Sequence, residues 1–276
     1  MDILGTPIAP PRPRTADGDT RRVGVEVEFA AVTAREGARI VQQLFGGTIR
    51  EEDAHRFHVE GTAHGDFTSE LDTQYAHKPK DGGPGGGAAM EGFRAEMRRL
   101  FGDVSSIVMP CEIVCPPIPW DRLPALDGMV RALNAAGAEG TRASPFYAFG
   151  VQLNPEIATE DPVWIGNVLR AYLMASPWLR AAMALDLTRR TVSFADPFPA
   201  DWVSAMLTRD VQATVPALID TYLNANPTRN RELDMLPLFA HLDGDRLFAR
   251  IDDPRVTARP TFHYRLPDAR LSKPGW

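Results

Sequence analysis

Cysteine is nearly absent from this chain: Cys111 and Cys115 are the only two in 276 residues. Four apart in an extended pattern, they would lie about 13 Å apart on one strand face, too far to bridge. Both read as free thiols, which suits a reducing cytoplasm. Long apolar runs are missing too. The N-terminal stretch from Ile3 to Ile8 is broken by Gly5 and Pro7, and Pro10-Pro11-Arg12-Pro13 follows. The expectation is therefore no signal peptide, no membrane span and a cytoplasmic protein. Excess positive charge is lacking as well: the formal net charge is -6, which gives no footprint for nucleic acid or another polyanion. There is no Gly-x-Ser-x-Gly elbow and no Cys/His pairing to suggest a covalent nucleophile. Residues 78–88 are rich in glycine and proline, but lack the Gly-Lys-Ser/Thr ending and preceding strand of a P-loop. They read as a mobile loop, either a lid or a surface linker.

What is present is a row of acids in alternating patterns. In Arg21-Arg22-Val23-Gly24-Val25-Glu26-Val27-Glu28-Phe29, the apolar residues fall on one side and Gly24, Glu26 and Glu28 on the other. A strand with this pattern buries its apolar row and presents two carboxylates on the opposite face, about 7 Å apart. Such carboxylates either face water or are compensated by a cation. The stretch Asp66–Thr73 repeats the arrangement, with Phe67, Ser69 and Leu71 on one side and Thr68, Glu70 and Asp72 on the other. Glu112 is the only charge in the apolar run from Ser105 to Cys115. It sits there either at a water-exposed strand edge or paired, since an isolated buried carboxylate is costly.

Between these strands lie helical patterns. Ala34–Phe45 carries an apolar stripe of Ala38, Val41, Leu44 and Phe45 and stops at Gly46-Gly47. Short extended pieces are expected around 48–50 and 56–60, and helices over about 89–101 and 121–136. A strand over 146–155 places Gln152 and Asn154 on one face. Helices are expected over 162–175, 177–186, 200–207 and 211–224, with Pro162 and Pro177 opening the first two. Asn226–His241 sets Arg229 and Arg231 beside an apolar helix, where they either enter a site near Asp234 or make surface ion pairs. Asp243-Gly244 signals a turn. The closing piece, Arg259–Pro267, puts His263 and Arg265 on one face. His55, His58 and His64 lack zinc-ligand spacing and read as surface or loop residues. Strands interleaved with helices, a helical block and a final strand make an α+β protein: a flexible lead-in over 1–20 and one compact domain over 21–276.

Four motifs, in order, resemble the amidoligase family, the carboxylate–amine ligases that share the glutamine synthetase and glutamate–cysteine ligase fold. Gly24-Val25-Glu26-Val27-Glu28-Phe29 is similar to that family's first strand, and Glu112-Ile113-Val114-Cys115-Pro116-Pro117 to its Glu-Leu-Val-Ser-Pro-Pro strand. Phe149–Asn154 falls where the family carries Gly-x-His-Val-His, and Thr261–Arg265 where it has a Glu-Phe-Arg closing strand. The resemblance spans about 22–270. It implies a curved antiparallel sheet forming a trough, with helices on its outer face and acids inside that hold Mg²⁺ and ATP. Carried over by position, Glu26, Glu28, Glu112 and, in place of the expected glutamate, His263 would be metal ligands. Arg265, Glu70 and Asp72 would be catalytic, the acids adding ligands or gripping the amine. Gln152 and Asn154, with Arg231 and Arg259, would bind the nucleotide.

The resemblance thus implies an ATP- and Mg²⁺-dependent ligase joining a small-molecule or peptide carboxylate to an amine through an acyl phosphate. Gln152 and Asn154 stand where the family has two histidines. Two alternatives use the same residues: a metal-dependent amide hydrolase that needs no nucleotide, and a binding or scaffold protein that keeps the fold without catalysis. Neither a nucleic-acid nor a membrane partner is expected, and the oligomeric state is open.

Overall fold

The computed structural model describes residues 7–71, 110–140, 150–183, 195–267, 269 and 271. Asp72, the loop at 78–88, the helix expected over 89–101 and the outer parts of the strands expected at 105–115 and 146–155 lie outside the described residues.

Among the described residues, an open sheet of nine strands organises the protein. In chain order the strands are β1 (Arg22–Phe29), β2 (Thr48–Asp53), β3 (Arg56–Thr62), β4 (Gly65–Leu71), β5 (Cys111–Val114), β6 (Ile118–Pro119), β7 (Val151–Pro155), β8 (Leu233–Asp234) and β9 (His263–Tyr264). Across the sheet they run β2-β3-β4-β5-β1-β7-β9-β8, with β6 also paired to β1. Every pairing is antiparallel. β1 therefore sits centrally between β5 and β7, and both neighbours arrive from far along the sequence. Among the described residues there are six α-helices: α1 (Ala34–Phe45), α2 (Asp127–Ala135), α3 (Pro162–Met183), α4 (Ala200–Thr208), α5 (Val215–Leu223) and α6 (Leu236–Phe248).

Alternation decides which face of the sheet is covered. Val25, Val27 and Phe29 of β1, Ile113 of β5 and Phe67 of β4 are buried in one apolar cluster with Ala38 and Val41 of α1 and Met129 and Leu133 of α2. α1 begins at a capping box, in which the Glu36 N–H donates to Thr33 Oγ1 and the Thr33 N–H to Glu36 Oε2 at 3.0 Å. It approaches the sheet closely at Gly37, where a Cβ would lie 2.6 Å from Ser69 Oγ and 3.3 Å from Phe29 Cζ. Its end is set by Gly47, whose φ of +88° and closeness to the Glu60 carbonyl (2.5 Å from an added Cβ) leave room only for glycine. The even-numbered residues of β1 turn to the other face.

A second apolar cluster joins α3, α4, α5 and α6 with residues of β8 and Phe262. Several helix boundaries differ from the sequence pattern; the helix expected over 211–224, for one, begins only at Val215, behind the Thr214 N-cap. The pattern starts a new helix at Pro177, yet α3 runs from Pro162 to Met183 without a break. Proline forfeits one backbone bond in a helix interior. Here residues on either side of it anchor the helix to the sheet: Ser176 Oγ donates to buried Glu232, and Arg180 Nη1 reaches the same carboxylate at 2.6 Å. The helix expected over 121–136 is instead a 3-10 segment over Trp120–Leu126, which contains Pro124, followed by α2. The turn signalled by Asp243-Gly244 is a kink inside α6, with Asp243 at φ -157° and ψ 76°. Among the described residues no helix is long and apolar enough to cross a membrane.

Candidate active site

The face of the sheet opposite α1 gathers nearly every polar residue singled out by alternation. Register does the assembling. Glu28 on β1 stands directly across from Glu112 on β5, Glu112 from Glu70 on β4, and Glu70 from Arg56 on β3. Adjacent strands lie about 4.8 Å apart, so these carboxylates form a row in which like charges oppose one another. Glu112 is thus the middle member of an acid row, not an isolated charge. At one end of the row Arg56 forms an ion pair with Glu70 and reaches Glu52 at 3.2 Å, and His58 contacts the same Glu52 at 2.8 Å.

On the other side of β1 the partners are amides. Glu26 pairs in register with Gln152, and Gly24 with Asn154. Asn154 Nδ2 donates to Glu26 Oε1 at 2.8 Å. A Cβ on Gly24 would sit 3.3 Å from the Asn154 Cβ, so glycine here lets the amide lie over the strand. Glu28 is buried; it accepts the Gly150 N–H at 2.7 Å and Gln152 Nε2 at 2.9 Å.

His263 extends this chain of bonds, with its Nε2 against Gln152 Oε1. Gln152 offers Glu28 its NH₂ group, which donates to Glu28 Oε1. Its oxygen therefore faces His263, and Nε2 is the ring nitrogen that carries the proton. Burial, and then the positive charges of Arg265, Arg259 and Arg229, hold the His263 pKa well below the ordinary imidazole value. The ring is a neutral donor that fixes the orientation of Gln152, and through it the hydrogen bond to Glu28.

Beyond β9, Asp234 lies in register with His263. It is almost fully buried, accepts the Leu236 N–H at 2.9 Å, and lies 3.3 Å from Arg265 Nη2. Burial pushes its pKa up to about 6, and Arg265, the Leu236 N–H and Arg229 act in the opposite direction. Arg259 Nη1 lies 3.6 Å from Glu26 Oε1. Arg231 turns away from this face: its Nη1 donates to the Pro197 carbonyl at 2.7 Å, and its guanidinium sits over the Phe198 ring. Its neighbour Arg229 is the residue electrostatically coupled to Arg265 and Asp234.

The structure thus brings Glu26, Glu28, Glu70, Glu112, Gln152, Asn154, His263, Arg265 and Arg259 to one face and leaves Arg231 outside it. Arg56 and Asp234 were not assigned to the site from sequence. The alternation at 56–60 carried a signal for Arg56. β8 is two residues long and has no periodicity to read.

A family model described as “Putative amidoligase enzyme” matches residues 19–276, nearly the whole chain. The chain belongs to the amidoligase family. No curated protein and no solved structure matches it. In this amidoligase-family protein, the first-strand acids and the closing-strand arginine meet on one face of the sheet through β1, β7 and β9.

The buried Asp234 gives a pH-dependent test of the site. Its pKa is 3.8 ordinarily and about 6 in the folded protein, so between those values the folded state holds the extra proton. Stability from this group is then greatest below about pH 4 and falls by about 3 kcal/mol as pH rises through 6. His263 acts in the opposite sense: with a depressed pKa, its contribution is complete above pH 6.5 and is lost on acidification. Denaturant unfolding of the parent and Asp234→Asn from pH 4 to 8 separates them. The parent should lose stability relative to the variant as pH rises from 4 to 7. A constant difference would contradict the assignment.

Proposed function

We propose that this amidoligase-family protein is an ATP- and Mg²⁺-dependent carboxylate–amine ligase. It would form an amide or peptide bond through an acyl phosphate, on a glutamine synthetase-like sheet whose acid face is a trough. The observation that carries the reading is the in-register row Glu70–Glu112–Glu28 beside Glu26, with arginines at both ends of the face. Family membership points to the same class of reaction.

The donor chemistry fits magnesium: Glu26, Glu28 and Glu112 offer hard carboxylate oxygens. Magnesium characteristically uses one or two protein carboxylates together with substrate phosphates, so a complete protein cage is not required. Among the described residues no group of three or more His, Cys, Asp or Glu side chains forms such a cage. Bound magnesium would neutralise charge on the transferring phosphoryl group. His263, with its Nε2 committed to Gln152, supports the site through that hydrogen bond, and Gln152 and Asn154 hold Glu28 and Glu26 in place. Arg265 would stabilise the charge that develops as a substrate carboxylate oxygen attacks the γ-phosphorus and ADP leaves. The amine nitrogen then attacks the acyl carbon, phosphate departs, and the nitrogen loses a proton. Glu70, with Asp72, would hold that amine. Small cytoplasmic carboxylate and amine metabolites or peptides are the expected substrates.

The test is to incubate the purified protein with Mg²⁺, ATP and pools of amino acids or short peptides. The expected result is ADP and phosphate release that requires both an acid and an amine, with an amide product seen by mass spectrometry. Amide hydrolysis without nucleotide would replace this reading with a hydrolase. Failure of ATP, ADP or AMP with Mg²⁺ to shift the melting temperature would replace it with a binding or scaffold role.

A further inference from the structure

We propose that a cavity on the helix-covered face of β1 and β7 binds a small primary amine with an apolar body, its ammonium group meeting Asp127. Register shows how the cavity arises. Val25 of β1 stands across from Leu153 of β7, Leu153 from Tyr264 of β9, and Tyr264 from Leu233 of β8, so all four share the face opposite the acids. Val25 and Leu153 belong to the apolar cluster under α1 and α2, whereas Tyr264 and Leu233 belong to the cluster under α3 to α6. β7 therefore lies at the seam between two separately packed groups of helices, and a cavity of about 220 Å³ lies there. Its floor is Val25 and Val27 of β1 with Val151 of β7, all buried. Its rim is Leu153 of β7 with Asp127 and Val130 of α2, all partly exposed.

Among the described residues that line the cavity, Asp127 alone is charged. Its carboxylate makes neither a hydrogen bond nor an ion pair among the described residues; Arg131, one turn further along α2 and exposed, acts on it through charge alone. A place in the first turn of α2 suits the helix dipole but leaves both oxygens without a donor. Burial pushes the Asp127 pKa up and Arg131 works against it, as expected of a carboxylate that has lost water without gaining a partner. Charge and shape together select the ligand. A second anion would be repelled, and a neutral apolar molecule would leave the carboxylate unpaired. An ammonium group supplies N–H donors and the opposite charge, and its apolar body covers the valine floor. The size is adequate, since apolar cavities of about 150 Å³ already admit a benzene-sized molecule. Alternation sends Glu26, Gln152 and Asn154 to the other side of the same two strands, so this site is separate from the acid row.

This site does not rest on the ligase reading and is tested without nucleotide or Mg²⁺. Hexylamine, and separately the chain-matched hexan-1-ol, are titrated into the full-length protein by calorimetry at neutral pH and constant ionic strength. The wild-type protein should bind hexylamine saturably and about tenfold or more tightly than the alcohol. Asp127→Asn should bring the amine down to the level of the alcohol. Val151→Phe, which fills the floor, should lose both ligands. Asp127→Asn leaves the apolar packing untouched, so it reads the site even where Val151→Phe disturbs the fold. Glu112→Gln, on the acid face, should bind hexylamine as the wild type does. No saturable hexylamine binding in wild type, equal affinity for amine and alcohol, or undiminished amine binding in Asp127→Asn would each overturn the proposal. Loss of amine binding in Glu112→Gln but not in Asp127→Asn would also overturn it, by placing the amine on the acid row. Amine binding intact in a protein that shows no ATP-dependent ligation would count against the ligase reading alone.

Discussion

Replacing Glu28 by glutamine is expected to lower ATP-dependent amide formation by a factor on the order of 10³. Glu28 is the β1 member of the acid row, opposite Glu112 and on the same face of β1 as Glu26. Both its oxygens accept hydrogen bonds, from the Gly150 N–H and from Gln152 Nε2. A glutamine at 28 would turn an NH₂ toward one of those donors, so the charge is removed and its support is disturbed together. Glu26→Gln keeps an oxygen for Asn154 and should be milder in stability while still losing most activity. The measurement is product formation under saturating ATP alongside far-ultraviolet circular dichroism. Activity within tenfold of wild type in a folded Glu28→Gln protein would remove Glu28 from the chemistry.

Replacing Arg265 by methionine should destabilise the protein by about 3–5 kcal/mol at pH 8, because it leaves the buried Asp234 charge without its main counter-charge. The deficit should shrink as pH falls through 6, where Asp234 takes up a proton and the stranded charge disappears. A purely steric loss of packing around the Arg265 side chain would instead cost the same at every pH. Unfolding curves at pH 5 and pH 8 distinguish the two, and an equal deficit at both would show that the Asp234 charge plays no part.

Much of the candidate site was legible because alternation along a strand fixes side-chain direction independently of anything distant. Glu26 and Glu28, Gln152 and Asn154, and His263 and Arg265 share a face for that reason alone. Glu112 could not be resolved in the same way. Within its own run it reads either as a water-exposed edge or as a paired charge, and only its registers with Glu28 and Glu70 place it mid-row. The helical side was harder to read. Arg229 and Arg231 are two residues apart in a segment with no regular period before β8, so pattern could not tell that Arg231 turns to the Pro197 carbonyl and the Phe198 ring.

What the sequence by itself determined was the set of faces: which residues of each strand go to the core, where α1 starts and stops, and that acids and amides share a surface. These follow from backbone geometry repeated over a few residues. What only the tertiary structure decided was neighbourhood. It set β7 and β5 on either side of β1, locked the His263–Gln152–Glu28 orientation, carried α3 through Pro177 by anchoring Ser176 and Arg180 on Glu232, and buried Asp234 against Arg265. Each of these depends on contacts between segments far apart in the chain, whose energies no local pattern encodes.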